Sequence, residues 1–288
     1  MTARSLLARM CAGEPAVIPG VHDALAAKLA VRAGFEALFV SGFGLSASLL
    51  GEPDLGFIGM PEVLDAAERI VRAAQVPVFV DVDTGYGNAF HAEKVVQGLL
   101  ARGAAGCFLE DQESPKRCGH MEQKRVIDVD QYLPKLRAAI AARGDPDFVV
   151  AARTDARAVL GLDEAIRRGR LYADAGADIV FVEAPQSVDE MRRIRAAIPR
   201  NVVLVANMVE GGKTPMQTAR ALADEGFAFV LWPVSGLLAA ARAMQEVFAV
   251  LARDGSTLGA SHAMLRFDDL NAITGLPERY AREKAWLP

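Results

Sequence analysis

The sequence predicts an α/β fold, a (β/α)8 barrel carrying extra helices at its C-terminal end. Three observations predict it. Eight short apolar runs recur along the chain, each followed by a stretch of helical character. The runs are continuous rather than alternating, as suits parallel strands covered on both faces. Polar residues able to do chemistry fall just after those runs, where α/β enzymes keep their sites. An open doubly wound sheet is the alternative. The turn after the first run reads Pro19-Gly20-Val21-His22-Asp23, which lacks the G-x-G-x-x-G pattern expected of many such sheets.

In chain order, residues 2–13 read as a short helix and residues 16–20 as the first strand, with Asp23 opening an Ala-rich helix over 24–33. Residues 37–40 are the second strand, ending in Ser41-Gly42-Phe43-Gly44, and Pro53-Asp54-Leu55-Gly56 reads as loop. Pro61 starts the next helix, which runs to Ala74. Residues 76–80 form the third strand and end in Asp81-Val82-Asp83-Thr84-Gly85. A helix over 90–102 leads to the fourth strand, 106–109. The pattern repeats with helix 129–142, strand 148–152, helix 163–175, strand 179–182, helix 188–197, strand 202–206, helix 215–225 and strand 227–231. A long helix over 235–253 follows. The chain reads as one barrel domain over 1–288, with a helical extension from about 255 that contains Phe267, Leu270, Leu276, Tyr280 and Trp286. An exposed apolar tail of this kind suits packing on another subunit, so a homodimer or homotetramer is expected.

The 288 residues are 52% hydrophobic and 24% charged, enough for one large core. The net charge of -4 and the lack of a polybasic run argue against nucleic acid or an anionic membrane as partner. The start of the chain lacks a signal-peptide core, and no apolar run approaches a membrane span of ~18 residues. Three cysteines, Cys11, Cys107 and Cys118, are too scattered for a disulfide framework or a zinc site, so a cytoplasmic protein with reduced thiols is expected.

Ser41, Asp81, Asp83, Glu110, Arg153, Glu183 and Asn207 each stand at or just past the end of a different predicted strand. In a closed barrel those ends share one mouth. Asp81 and Asp83 are two apart, so their side chains can share a face, and Glu110 lies on the next strand. Three close carboxylates raise one another's pKa unless a cation intervenes, and hard oxygen ligands favour Mg2+, or Mn2+, over zinc. The alternative for Asp-x-Asp is a helix cap with a loop hydrogen bond. Arg153 suits a substrate carboxylate through its bidentate fork, or an ion pair to Glu183 or Asp155. Cys118 follows Lys116 and Arg117 and precedes His120; such neighbours lower a thiol pKa and make it a usable acid, base or nucleophile. Cys11 and Cys107 lack those neighbours and read as structural. A non-catalytic barrel would have no use for these groups around one mouth.

These residues resemble the isocitrate lyase/phosphoenolpyruvate mutase superfamily. The resemblance rests on Ser41-Gly42, Pro53-Asp54-Leu55-Gly56, Asp81-Val82-Asp83-Thr84-Gly85, Glu110-Asp111-Gln112, Pro115-Lys116-Arg117-Cys118-Gly119-His120, Ala152-Arg153-Thr154-Asp155, Val182-Glu183-Ala184 and Asn207. The Lys-Arg-Cys-Gly-His loop looks like the carbon–carbon lyases rather than the phosphonate mutases and oxaloacetate decarboxylases of the family. The segment Val209 to Pro215 looks most like the 2,3-dimethylmalate and petal-death branch, with 2-methylisocitrate lyases similar. The resemblance implies a barrel with exchanged C-terminal helices and a Mg2+-dependent retro-Claisen cleavage of a 2-hydroxy dicarboxylate. It implies Asp81 on the metal, with Asp54, Asp83 and Glu110 acting through water. Ser41, Gly42, Phe43 and Arg153 would hold the 2-oxoacid, and Cys118 would protonate the departing carbanion. Lys116, Gly119, His120 and Glu183 would support it, and Asn207 and Thr214 would bind the second carboxylate. Phe43 and Val209 point to a tight, apolar pocket, and Pro233, expected on the substrate, resembles the dimethylmalate-type lyases rather than oxaloacetate hydrolases, hence a methyl-substituted malate cleaved to pyruvate and a short acid. 2-Methylisocitrate cleavage, oxaloacetate hydrolysis or decarboxylation, and phosphonate mutase chemistry are the alternatives within the family.

Overall fold

Eight parallel strands pair each with the next, and β8 closes on β1. They are β1 (Ala16–Val21), β2 (Leu38–Val40), β3 (Val78–Asp81), β4 (Gly106–Glu110), β5 (Val149–Thr154), β6 (Ile179–Val182), β7 (Val203–Asn207) and β8 (Phe229–Trp232). The computed structural model describes residues 1–119 and 123–287, and within them the barrel predicted from the sequence is present.

Strand period explains where the core and the site lie. Successive side chains on a strand point to opposite faces. One parity, with Val40, Val80, Cys107, Leu109, Val150, Val180, Leu204 and Val230, joins the cluster under the surrounding helices. The other parity, with Ile18, Phe39, Phe79, Phe108, Ala151, Phe181, Val205 and Leu231, fills the barrel interior. Phe108 stands at the centre of that interior, edge-on to Phe39 at 5.0 Å and tilted against Phe229 at 5.3 Å. The interior is thus packed solid by aromatic contacts, not left as a pore. Helix α1 (Ala3–Cys11), capped by Thr2, adds Leu6, Leu7 and Met10 to this cluster beside the strand starts Ala16, Ala105 and Ala228. It therefore stoppers the end opposite the strand C-termini.

The covering helices are α2 (Ala24–Arg32), α4 (Met60–Ala74), α5 (Ala89–Ala101), α6 (Val129–Ala142), α8 (Leu162–Asp174), α9 (Val188–Ala197) and α10 (Ala219–Asp224). Two further helices lie where the sequence suggests only loops. They are α3 (Gly42–Leu45), which runs into a π-helical turn over Ser46–Leu50, and α7 (Ala156–Leu160). Segments of four or five residues are too short to show a period of 3.6.

Compact packing divides the chain after Ser235. The second unit begins at Gly236, ahead of the extension read from about 255, and holds nearly all of α11 (Ser235–Asp254), then α12 (Phe267–Thr274) and α13 (Leu276–Lys284). No residue of α11, α12 or α13 is buried, and Phe248, Leu258, Phe267 and Trp286 are largely exposed. Contrary to the sequence reading, α11 has the length and apolarity to cross a membrane, with mean hydropathy 1.3.

Candidate active site

The interior parity ends in polar residues. Beyond Phe79 on the same face comes Asp81, beyond Phe108 comes Glu110, beyond Ala151 comes Arg153, and beyond Val205 comes Asn207. Ser41 continues the face of Phe39, and Glu183 that of Phe181. Burial at the top of a solid aromatic core gives these groups no water to lean on, so each must find a partner. Glu110 and Arg153 are register partners across β4 and β5, and Arg153 Nε lies 3.3 Å from Glu110 Oε2. The guanidinium sits over the Phe181 ring, 5.2 Å from its centroid.

On the β2–β4 side the carboxylates converge. A Cβ placed on Gly42 would lie 3.2 Å from both Asp81 Oδ2 and Asp83 Oδ1, so these oxygens flank one point and only glycine leaves it open. The backbone N–H of Asp83 donates to Asp81 Oδ1 at 3.1 Å, the loop hydrogen bond offered as the bland reading of Asp-x-Asp. Ser41 caps α3, its hydroxyl accepting from the Gly44 N–H, and Phe43 is half-buried on that helix. Lys116 reaches in from the loop after β4 and donates to Asp54 at 2.6 and 2.7 Å, with Asp83 Oδ1 at 2.8 Å. Burial opposes the Lys116 charge, but Asp83 and Asp54 outweigh it and hold the ammonium charged well above its ordinary range. Burial pushes the Asp83 carboxyl up to about 7; Lys116 pulls the other way, while Asp81 and Asp54 add to the rise. Burial also drives Glu110 well above the usual carboxylate range, against the pull of Arg153.

The β5–β6 side is satisfied. Arg153 Nε donates to Asp155 Oδ2 at 2.9 Å and Arg153 Nη2 lies 3.2 Å from Glu183 Oε2. Asn207 Nδ2 lies 3.3 Å from Glu183 Oε2, and Lys124 Nζ is 2.6 Å from Asp155 Oδ1. The ion pairs to Glu183 and Asp155, the alternative given for Arg153, are present and hold its fork at the mouth.

The Cys118 loop lies over the same mouth. The Cys118 N–H donates to the Asp54 carbonyl at 3.2 Å, which ties the thiol's residue to the acid side. Gly119 presses on the other side: a Cβ there would sit 2.5 Å from Arg153 Nη2 and 2.7 Å from Glu183 Oε2. Any larger residue would displace that ion pair. Thr214 and Asn207 are buried, and Pro233 follows β8 with its carbonyl 1.9 Å from where a Gly20 Cβ would lie. His120 lies outside the described residues. Cys107 is fully buried, and burial raises its thiol pKa to about 12, in keeping with a structural role. Cys11, read as structural, is instead exposed, with its Sγ 3.6 Å from the Asn201 carbonyl.

A divalent cation fits the acid side. Glu110 Oε1 is buried and makes no hydrogen bond among the described residues, and Asp83 Oδ1 is buried with the Lys116 ammonium, shared with Asp54, 2.8 Å away. The donors are hard oxygens, as Mg2+ requires. Among the described residues no three acidic, His or Cys groups already form a metal-ready cluster, so a bound ion would keep several waters.

A family model described as phosphoenolpyruvate phosphomutase matches residues 7–252. The chain belongs to the phosphoenolpyruvate mutase/isocitrate lyase superfamily. Among relatives within this superfamily, 2,3-dimethylmalate lyase of Eubacterium barkeri is 42% identical over 90% of this chain and 89% of its own. The 2-methylisocitrate lyase of Bacillus subtilis is 43% identical over 86% of this chain and 80% of its own. The structure of phosphonopyruvate hydrolase in complex with oxalate and Mg2+ superposes with a TM-score of 0.88 at 32% identity, covering all of both chains.

Sequence reasoning missed three groups that build the superfamily mouth in this chain. Asp111 is fully buried and accepts from Thr154 Oγ1 (2.7 Å), the Asp155 N–H (2.9 Å), Arg168 Nη1 (2.9 Å) and the Tyr172 hydroxyl (2.8 Å). Gln112 clamps the cysteine loop with both ends of its amide, donating to the Arg117 carbonyl at 2.8 Å and accepting from the Arg117 N–H at 3.0 Å. Lys124 is the third. Their signal was the run of polar residues directly after a buried strand.

Proposed function

We propose that the protein is a Mg2+-dependent carbon–carbon lyase that cleaves a 2-hydroxy dicarboxylate of the 2,3-dimethylmalate type to pyruvate and a short carboxylic acid. The observation that carries this reading is the Cys118 loop, fixed at one residue to Asp54 and at the next against Arg153 and Glu183. The identity to 2,3-dimethylmalate lyase supports the substrate class, and the half-buried Phe43 and Val209 support a small, methylated substrate over a tricarboxylate.

Asp81, Asp83, Glu110 and Asp54 would hold the ion, which when bound lowers the cost of ionising the 2-hydroxyl and polarises the forming carbonyl. Ser41, Gly42, Phe43 and Arg153 hold the 2-oxoacid end. Asn207 and Thr214 would bind the second carboxylate, a reading supported by Asn207 Oδ1 and Thr214 Oγ1, which are buried and without a hydrogen bond among the described residues; Thr214 would be the donor. Breaking C2–C3 leaves the electron pair on C3 as an enediolate, and Cys118 supplies the proton that quenches it. Lys116, Gly119 and Glu183 hold that acid and its surroundings in place. The exposed apolar α11 supports a homodimer or homotetramer that exchanges C-terminal helices, in a protein we place in the cytoplasm because its relatives are metabolic enzymes. Arg242, in mid-helix, would cost about 2.5–3.5 kcal/mol at a bilayer centre, which favours a protein partner over lipid.

The test is a coupled assay for pyruvate or glyoxylate with Mg2+ over malate, 2,3-dimethylmalate, isocitrate, 2-methylisocitrate and oxaloacetate. Pyruvate from 2,3-dimethylmalate, abolished by a chelator, is expected. Turnover of oxaloacetate alone, to oxalate and acetate, would overturn the lyase reading. Cys118→Ser should lower kcat by about 10²–10⁴, the usual worth of a general acid, while oxalate still binds.

A further inference from the structure

Lys124 is among the most buried cations of the described residues, its side chain 2% exposed, and its partners among them, the Gly119 carbonyl and Asp155, are not groups proposed to react. Its Nζ donates to the Gly119 carbonyl at 2.5 Å and to Asp155 Oδ1 at 2.6 Å. The first partner belongs to the cysteine loop, the second to the end of β5. The β5 partner is itself immobile, because the Asp155 N–H is held by Asp111 and its other carboxylate oxygen by Arg153. Taking an ammonium out of water is expensive unless excellent geometry offsets it, and apolar packing would anchor a loop at less cost. A compact ammonium with three donors can bond a carbonyl and a carboxylate at once.

We propose that Lys124 is a positioning residue: with Asp155 it fixes the Gly119 carbonyl and thereby holds the Cys118 loop where Gly119 presses on the Arg153–Glu183 pair. This deepens, and rests on, the reading of Cys118 as the acid. The strut joins a backbone oxygen one residue from the thiol to the strand that carries Arg153, so its length sets the distance between acid and oxoacid. Removing the ammonium leaves the carbonyl without this donor, and the loop loses its tie to β5.

The three cysteines make the test internally controlled. Lys124→Met and Lys124→Arg are each treated with iodoacetamide, and the alkylation rate of every cysteine is followed by peptide mass spectrometry. In Lys124→Met, Cys118 should react several-fold faster than in the parent and lose its protection by oxalate with Mg2+. Exposed Cys11 and buried Cys107 should keep their parent rates. Lys124→Arg should restore part of the protection. On the substrate that turns over, kcat of Lys124→Met should fall by up to about 10²-fold, the cost of a misplacement of about 1 Å, with KM little changed. Parent-like Cys118 reactivity in Lys124→Met overturns the proposal. So does faster reaction of Cys107 in both variants, which would make Lys124 a general stabiliser. Alkylation requires no turnover, so a protein shielded as described but inactive on every substrate would sink the lyase reading and leave the strut standing.

Discussion

The two sides of the barrel mouth both bury carboxylates and differ in how their charge is met. On the β2–β4 side Asp54, Asp81, Asp83 and Glu110 share Lys116, with Arg153 reaching only Glu110, and Glu110 Oε1 goes without a hydrogen bond among the described residues. On the β5–β6 side Asp111, Asp155 and Glu183 meet Arg168, Lys124 and Arg153 at hydrogen-bond distance or close to it. A buried network that is fully satisfied rigidifies its surroundings, whereas an under-neutralised one stores free energy that a ligand can release. The first side is built to receive something positive and the second to keep a geometry. Substitutions on the two sides should therefore move stability in different directions.

The largest effect is expected at Asp111. Four donors point at its two oxygens. Three donors meet Oδ2 and the Asp155 N–H meets Oδ1, so asparagine keeps the shape but turns an N–H2 toward one or three of them; a donor then faces a donor and Arg168 loses its buried counter-charge. Asp111→Asn should cost about 3–5 kcal/mol, as breaking a buried pair does. Thermal denaturation should show it as a drop on the order of 10 °C. Because Asp111 also holds the Asp155 N–H, activity should fall with stability. A variant that melts with the parent would erase the distinction between the sides.

The barrel was legible because its signal is local. Eight apolar runs with helices between them, and a two-residue period that carries Phe79 into Asp81 and Phe108 into Glu110, can be read along the chain. The satisfied side was legible at Arg153, whose ion pairs to Glu183 and Asp155 were offered, but not at Asp111, whose partners are far apart in sequence. Arg168 stands 57 residues from Asp111, and Tyr172 stands 61 away. Lys116 meets Asp54 across 62 residues, so the sequence offered both as site residues but could not pair them. Motif residues such as Asp111 and Lys124 were visible without a role, since only the fold supplies their partners. Helices α3 and α7 escaped notice through shortness, and the exposure of Cys11 depends on which face of α1 turns to the barrel.

The smaller effect is the more discriminating one. With its pKa raised from an ordinary value near 3.9 to about 7, folded Asp83 binds more proton than the unfolded chain between those values. Stability rises with pH only where the unfolded state binds more protons, so here the sign is negative. The metal-free protein should lose stability through this group as pH rises from about 4 to about 7, and the loss should persist above that. Asp83→Asn removes the ionisation. In the presence of a chelator it should melt no lower than the parent at pH 8, with the difference shrinking toward pH 4. Addition of Mg2+ should raise the melting temperature of the parent through mass action and that of Asp83→Asn less. An Asp83→Asn protein that loses as much stability as Asp111→Asn under metal-free conditions would mean that Lys116 already satisfies the acid side, and the case for a cation there would fail.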